Sequence, residues 1–330
     1  MTSAGAAAGW GTRSSATSPP PQLGPGYTAT VGDFTGDDRD DIYWYAPDGP
    51  DQLWTATGTN GLTVSNPEQG PGLKPILLPD SQSSAGKDDL IWEPATTPGA
   101  ATPAALWVFP DDGSGVPDTT GTVTRPATAT PVVGDFDGDG DADVLWYRPG
   151  TAPDPLWRRD GGTGKTFTAT TLKIDGGYTP RVGRFSAYGD RPRDIVWTGS
   201  AQTEAGFSVE DGPQYVWEGR ADGTFRSTRV PLAQRSSGFE VVLRGGPKDV
   251  IVNATAKGRH QPASYPTTDV VWSLLPGGPS LKATRNESLI PWFAGGPDVS
   301  LVTGHFTTAA REDLFVYRAG TATDSLWQVN

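Results

Sequence analysis

The chain has 330 residues, including 43 glycines, 31 prolines, 12 tryptophans and no cysteine. Its formal charge of −12 argues against a nucleic-acid partner, because phosphate binding needs clustered lysine and arginine and no such cluster is visible. The glycine and proline content predicts an all-β protein of short strands joined by tight turns. No apolar run approaches the roughly 20 residues of a membrane-spanning helix, so we expect no membrane span.

A unit of strand, polar loop, aspartate and second strand recurs along the chain. In chain order the copies are VGDFTGDDRDDIYWY from Val31, a weaker LLPDSQSSAGKDDLIW from Leu77, VGDFDGDGDADVLWY from Val133, VGRFSAYGDRPRDIVW from Val182, a weaker VVLRGGPKDVIV from Val241, and VTGHFTTAAREDLFVY from Val302. The second strand is apolar on both faces, which is typical of a sheet packed between two neighbouring sheets. The sequence therefore predicts six copies of one structural unit.

Each copy is followed by an apolar residue and then a tryptophan. These tryptophans are Trp54, Trp107, Trp157, Trp217, Trp272 and Trp327, at steps of 50 to 60 residues. A period of this length with about four short strands per unit predicts a β-propeller. We predict one domain over residues 1–330 with six four-stranded blades, and seven blades as the alternative.

The N-terminal segment resembles the end of a repeat. TSPPPQLGPGYTATVGDF parallels TTLKIDGGYTPRVGRF further along the chain. A ring lets the first segment complete the last unit, whereas an open array needs capping repeats. We predict that the stretch from about Trp10 to Thr30 supplies the outer strand of the last blade, and that residues 1–9 are disordered.

The loop GDFDGDGDAD of the third copy places an aspartate at every second position. Carboxylates curled around one centre repel one another, whereas Ca²⁺ takes six to eight oxygen ligands. Histidine and cysteine are absent from this loop, which disfavours zinc and copper. We predict one strong calcium site, whose ligands are Asp135, Asp137, Asp139 and Asp143 by side chain and Asp141 by its backbone carbonyl. The alternative is a solvated acidic turn.

The first copy has a related loop with fewer acids. Asp33, Asp37 and Asp41 are retained. Thr35 stands at the second ligand position, however, and Arg39 stands where a backbone carbonyl is expected to bind. We predict a weaker calcium site here, and a structural role for the metal in both loops, because they belong to a repeated scaffold element.

These loops resemble the repeats of the FG-GAP/VCBS family, which form the propellers of integrin α-chain heads and of many bacterial extracellular proteins. The strongest match runs from Val133 to Asp143, and the stretch from Val31 to Asp41 is a close second. The resemblance covers essentially the whole chain. It implies calcium in the Asp-rich loops and a role in adhesion, glycan binding or display beside a catalytic module. Members often have seven blades, whereas this chain has six copies.

No catalytic motif is recognisable, and the only histidines are His260 and His305. The leading hypothesis is a calcium-stabilised, lectin-like binding module for a glycan or a protein surface. The six repeated tryptophans are the candidate ligand-binding residues because aromatic rings stack on sugar faces, with packing between blades as their alternative role. An enzyme, a lyase, hydrolase or cyclase, stays open. Its residues would be sought in the central channel or on one face, near insertions 199–214 and 253–268.

The absence of cysteine does not decide the cellular compartment, whereas the predicted calcium sites indicate one. Weak calcium sites suit the millimolar calcium found outside cells. We expect a secreted, extracellular protein whose signal peptide is absent from this chain, with a cytoplasmic location as the alternative.

Overall fold

The structure is a computed structural model. It describes residues 10–12, 23, 26–46, 49–57, 61–67, 72–79, 87–94, 99–109, 118–159, 166–185, 193–199, 201–202, 208–209, 214–230, 238–243, 250–255, 270–274, 281–285, 299–304, 306, 313–318 and 325–329. Every regular element in these ranges is a β-strand, which confirms the all-β prediction. The same ranges contain no helix long and apolar enough to cross a membrane. Residues 1–9, predicted to be disordered, lie outside them.

The described strands form six four-stranded antiparallel sheets and one small hairpin. Sheet 1 contains β2 (Thr28–Gly32), β3 (Asp41–Tyr45), β4 (Gln52–Thr57) and β5 (Gly61–Ser65). Sheet 2 contains β6 (Leu73–Leu78), β7 (Asp89–Pro94), β8 (Thr102–Val108) and β9 (Asp118–Arg125). Sheet 3 contains β10 (Thr130–Gly134), β11 (Asp143–Tyr147), β12 (Asp154–Arg159) and β13 (Phe167–Leu172).

Sheet 4 contains β14 (Tyr178–Gly183), β15 (Asp194–Gly199), β18 (Gln214–Gly219) and β19 (Phe225–Val230), with the hairpin of β16 (Ala201–Gln202) and β17 (Ser208–Val209) inserted after β15. Sheet 5 contains β20 (Gly238–Leu243), β21 (Val250–Thr255), β22 (Val270–Leu274) and β23 (Leu281–Arg285). Sheet 6 contains β24 (Val299–Gly304), β25 (Asp313–Arg318), β26 (Ser325–Val329) and β1 (Trp10–Thr12). Such sheets are consistent with propeller blades.

The strand order shows how the sheets are joined. Sheets 1 to 5 each run in chain order from a first to a fourth strand, whereas sheet 6 takes its fourth strand from the beginning of the chain. There Trp10 pairs with Val329 and Thr12 pairs with Trp327. The first strands contact one another from sheet to sheet: β2 with β6, β6 with β10, β10 with β14, β14 with β20, β20 with β24, and β24 with β2.

The core lies between neighbouring sheets. On β3, Ile42 and Trp44 pack with Val302 of sheet 6. The alternate residues Tyr43 and Tyr45 pack in a cluster with residues of sheet 2. Because successive side chains of a strand point to opposite faces, one strand fills two interfaces, and this explains why β3 carries large apolar and aromatic residues at every position after Asp41.

The same alternation recurs on β11. Trp146 packs in the cluster between sheets 2 and 3, and Leu145 and Tyr147 pack in the cluster between sheets 3 and 4. Close approach of these sheets depends on Gly134, the last residue of β10. A Cβ atom at Gly134 would lie 2.7 Å from Cγ1 of Val182 in sheet 4, closer than real Cβ atoms come.

Candidate metal centre

The acidic loop of sheet 3 joins two paired strands. Gly134 at the end of β10 pairs with Asp143 at the start of β11, so the loop between them closes a hairpin. Asp135 holds this loop in its curl: its Oδ1 accepts a hydrogen bond from N of Gly138 (2.6 Å) and its Oδ2 accepts one from N of Gly140 (3.1 Å). Both glycines have φ in the left-handed region, at 81° and 101°, which a glycine adopts without strain.

Three carboxylates converge inside the curl. Asp135, Asp137 and Asp143 each offer an oxygen, and these oxygens lie within 4.8 Å of one another. Asp143 has no exposed surface, Asp135 is buried and Asp137 is partly exposed. Among the residues that the structure describes, this is the one acidic group with such geometry. An all-oxygen donor set of this kind could hold a hard cation such as calcium or magnesium.

Electrostatics favour a cation at this group. Burial raises the pKa of Asp143 to about 7, and the negative charges of Asp137 and Asp139 add to the effect. Burial also raises the pKa values of Asp135 and Asp137, with Asp139 again contributing. Each shift means that the charged carboxylate is unfavourable in its surroundings, and a bound cation would stabilise that charged form.

The two other predicted ligands shape the loop. Oδ1 of Asp137 accepts a hydrogen bond from N of Asp139 (3.3 Å), and Oδ1 of Asp139 accepts one from N of Asp141 (2.9 Å). Asp139 is exposed, and neither Asp139 nor Asp141 belongs to the converging group. Their roles as ligands remain predictions.

Asp143 also has a structural task. Its Oδ2 accepts a hydrogen bond from N of Phe136 in the loop (2.9 Å), and its Oδ1 accepts one from N of Arg159 at the end of β12 (3.0 Å). Since each carboxylate oxygen has a second lone pair, these bonds leave acceptor capacity for a cation. Asp143 therefore fastens the loop to the third strand of its sheet.

The aspartates at the same position of sheets 1 and 4 make the same two bonds. The amide donors are Phe34 (3.1 Å) and Ala56 (2.9 Å) for Asp41, and Phe185 (2.9 Å) and Gly219 (3.1 Å) for Asp194. In sheet 4, Arg184 stands at the position of the first acid of the loop. The aspartate Asp194 and its two hydrogen bonds are nevertheless retained. This position is thus needed by the sheet whether or not the loop is acidic.

The loop of sheet 1 follows a similar path with a different charge pattern. Asp33 accepts backbone hydrogen bonds, including one from Asp38 (2.8 Å). Nη1 of Arg39 forms an ion pair with Oδ2 of Asp37 (3.1 Å). Asp33, Asp37 and Asp41 do not converge as the three acids of sheet 3 do. An arginine therefore neutralises part of this loop, and its weaker calcium site remains a prediction.

The repeated tryptophans pack in pairs within the described sheets. A tryptophan of the second strand meets one of the third strand edge to face, with ring centroids 5.1 to 5.4 Å apart; the pairs are Trp44 and Trp54, Trp92 and Trp107, Trp146 and Trp157, and Trp197 and Trp217. Trp54 has no exposed surface and Trp107 is 6% exposed, whereas Trp157 and Trp217 are only partly buried. The side chains of Trp272 and Trp327 lie outside the described part. Ligand binding by these six residues remains a prediction.

A second structural aspartate was missed by the sequence interpretation. Asp154, at the start of β12, accepts hydrogen bonds from N of Arg148 (2.7 Å) and N of Ile174 (2.8 Å). Asp51 accepts one from N of Ala46 (3.1 Å) in sheet 1. The signal was present, because both aspartates stand three residues before a repeated tryptophan, as Asp269 and Asp324 also do.

Most of the two insertions proposed for an enzymatic site lie outside the described residues. The part of 199–214 that is described consists of Gly199, the short strands β16 and β17 and the first residue of β18. Of 253–268, only the end of β21 is described. His260 and His305 also fall outside the described part of the chain.

The fold and the acidic group define an all-β protein with propeller-like sheets and a candidate metal loop. No family model matches the chain, and no curated protein matches it. Among solved structures, the chain is similar to the crystal structure of the exotype rhamnogalacturonan lyase YesX, with 12% sequence identity and a TM-score of 0.38. The similarity covers 92% of this chain and 61% of the lyase, so the chain spans less than two thirds of that protein's length.

Proposed function

We propose that the protein is a calcium-stabilised, six-bladed β-propeller that is closed by its N-terminal strand and serves outside the cell as a glycan-binding module. The observation that carries the proposal is the convergence of Asp135, Asp137 and Asp143, two of them buried, in a loop that offers only oxygen ligands. The cycle of contacts between first strands and the pairing of β1 with β26 support six blades and closure.

Calcium suits this loop better than the smaller magnesium ion. Magnesium usually keeps several waters and binds through one or two carboxylates, whereas calcium accepts more oxygen ligands in a flexible geometry. Three converging carboxylates, with Asp139 and the carbonyl of Asp141 in the same loop, offer that larger set. The metal is proposed to be structural, because Asp143 also fastens the loop to β12.

A glycan is the proposed ligand because two of the repeated tryptophans are only partly buried. Trp157 and Trp217 are partly buried, and each is held at a fixed angle by a second tryptophan. Rigid aromatic faces bind the apolar faces of sugars at little cost in conformational entropy. An extracellular location supplies the millimolar calcium that a weak site, such as the one predicted at Asp33, Asp37 and Asp41, requires.

The calcium site is tested by isothermal titration calorimetry in chelator-treated buffer. We expect heat from calcium binding to the native chain and loss of most of it in Asp137→Asn, a change at the least buried member of the group. Asp37→Asn, in the other acidic loop, is the matched control and should retain the strong binding event. Equal binding by both variants would place calcium elsewhere.

The ligand is tested with a glycan array probed in millimolar calcium and again in EDTA, with thermal melts in both buffers. Selective binding that Trp157→Ala and Trp217→Ala weaken, without loss of fold, supports the glycan. If calcium stabilises the protein but no glycan on the array binds, the proposal of a glycan ligand is wrong. A protein surface is then the ligand to test.

A further inference from the structure

The acidic loop of sheet 3 is attached to the neighbouring sheet 4. The carbonyl oxygen of Asp135 accepts a hydrogen bond from N of Arg193, just before β15 (2.7 Å). The ring of Phe136 meets the ring of Phe225 on β19 edge to face, with centroids 5.4 Å apart. A change in the conformation of this loop therefore alters contacts with sheet 4.

Sheet 1 repeats this attachment. The carbonyl oxygen of Asp33 accepts a hydrogen bond from N of Asp88 of sheet 2 (2.9 Å), and the ring of Phe34 packs on Phe109 at 5.5 Å. The loops of sheets 1 and 3 thus contact the following sheet through an aspartate carbonyl and a phenylalanine ring at equivalent positions. This repetition shows that the attachment belongs to the design of the unit rather than to one loop.

Arg158 adds a link that is specific to sheet 3. It lies on β12, and its Nη2 donates a hydrogen bond to the carbonyl oxygen of Gly223, in the turn between β18 and β19 of sheet 4 (2.7 Å). Its Nε lies 3.9 Å from Oδ2 of Asp137, a member of the converging group. One guanidinium group therefore connects a candidate metal ligand to a turn of the next sheet.

The turn is shaped to receive this side chain. Gly223 has a φ of 70°, and a Cβ atom there would lie 2.6 Å from Nε of Arg158. The turn closes on itself through hydrogen bonds from N of Gly223 to the carbonyl oxygen of Arg220 (2.8 Å) and from N of Arg220 to that of Thr224 (3.0 Å). Its amides therefore report on local opening by hydrogen exchange.

Sheet 1 lacks the equivalent arginine. Thr55 follows Trp54 there, as Arg158 follows Trp157 in sheet 3. The arginine of the first loop is Arg39, which pairs with Asp37 inside the same loop. Arg39 consequently offers a matched comparison, with a similar charge close to an acidic loop and no described contact to another sheet.

We propose that Arg158 is a positioning residue that couples calcium binding at Asp135, Asp137 and Asp143 to the 220–224 turn of sheet 4. The inference rests on the calcium site proposed above. Asp137 is attracted both by the cation and by Arg158, so the guanidinium holds the acidic loop in shape and transmits its ordering to the turn. The positive charge of Arg158 also repels the bound calcium ion. Removal of this charge therefore raises the affinity for calcium.

The test is hydrogen–deuterium exchange by mass spectrometry, with calorimetry of calcium binding, on the native chain, Arg158→Gln, Arg158→Lys and Arg39→Gln. We expect calcium to slow exchange several-fold in both 135–143 and 220–224 of the native chain. In R158Q the protection of 220–224 is lost, while 135–143 stays protected and calcium affinity rises several-fold. R39Q behaves as the native chain in both segments.

The conservative variant separates charge from hydrogen bonding. R158K keeps the positive charge and loses the planar fork that reaches the carbonyl oxygen of Gly223. It should therefore keep near-native calcium affinity and lose the protection of 220–224, and it also serves if R158Q fails to fold. Calcium binding that leaves 220–224 unchanged in the native chain, or protects it in R158Q and R158K as strongly as in the native chain, overturns the inference. Absence of calcium binding to the native chain overturns the proposed site itself.

Discussion

Asp89 of sheet 2 forms a buried ion pair with Arg159 of sheet 3. The other carboxylate oxygen of Asp89 accepts a hydrogen bond from N of Phe109, in its own sheet (2.6 Å). In sheets 1, 3 and 4 the equivalent aspartate accepts hydrogen bonds from two backbone amides of its own sheet. At Asp89, sheets 2 and 3 are thus joined by a buried charge pair.

Replacing Arg159 by methionine should destabilise the fold by about 3–5 kcal/mol, because Asp89 would be left buried without its partner. Urea denaturation followed by tryptophan fluorescence measures this loss. Arg229→Gln is the control, since Arg229 is exposed on β19 and its replacement should change the free energy of unfolding by less than about 0.5 kcal/mol. Similar stabilities of the two variants would refute the importance of the pair.

Gly134→Ala should lower the free energy of unfolding by about 1–3 kcal/mol, because the added methyl group overlaps Val182 of sheet 4. The comparison is Gly177→Ala, where an added Cβ atom meets nothing within 4 Å. Both variants are compared by chemical denaturation under the same buffer conditions. If they are equally stable, the sheets are less closely packed at β10 than described.

Stability without metal should decrease as the pH rises. Burial raises the pKa values of Asp41 and Asp143 to about 7. Between about pH 4 and pH 7, the folded chain therefore retains protons that the unfolded chain has released, and the free energy of unfolding falls with increasing pH. In EDTA, the melting temperature should drop by several degrees between about pH 5 and pH 7.5.

Calcium should reduce this pH dependence, because a bound cation stabilises the charged carboxylates. Asp143→Asn should show a smaller slope in EDTA than the native chain does, since one of the two aspartates with a pKa of about 7 is gone. A melting temperature that rises across the same pH range in EDTA would contradict the assignment of these shifts.

Removing residues 1–12 should lower the melting temperature and cause self-association, because β26 would lose its partner strand and become an open edge. Removal of 1–9 alone leaves the paired residues Trp10, Gly11 and Thr12 in place and should have little effect. Differential scanning calorimetry and sedimentation velocity compare the two deletions. Equal behaviour of the two would argue against closure by the N-terminal strand.

The repeat pattern allowed the sheets and their order to be predicted, because each copy carries the same strand, loop and aspartate. The acidic group was also predictable, since alternate aspartates separated by glycine have one obvious arrangement. The pairing of Asp89 with Arg159 was not, because the two residues are far apart in the chain and belong to different copies. The buried ion pair of Glu93 and Arg125 joins two strands of one sheet, and its residues are also far apart in the chain. The fold decides which distant side chains come into contact. Local sequence patterns carry no information about such contacts.

The second strands of sheets 1 and 3 have a different character on each side, and this gives the arrangement of sheets a direction. One side of sheet 1 presents Trp44 and Trp54 to sheet 6, and the far side of sheet 3 presents Leu145 and Tyr147 to sheet 4. A fragment that contains sheets 1 to 3 would expose one surface of each kind. Such surfaces form head-to-tail contacts, which produce filaments unless the rotation closes a ring. Proteolysis between sheets would thus produce units that associate head to tail.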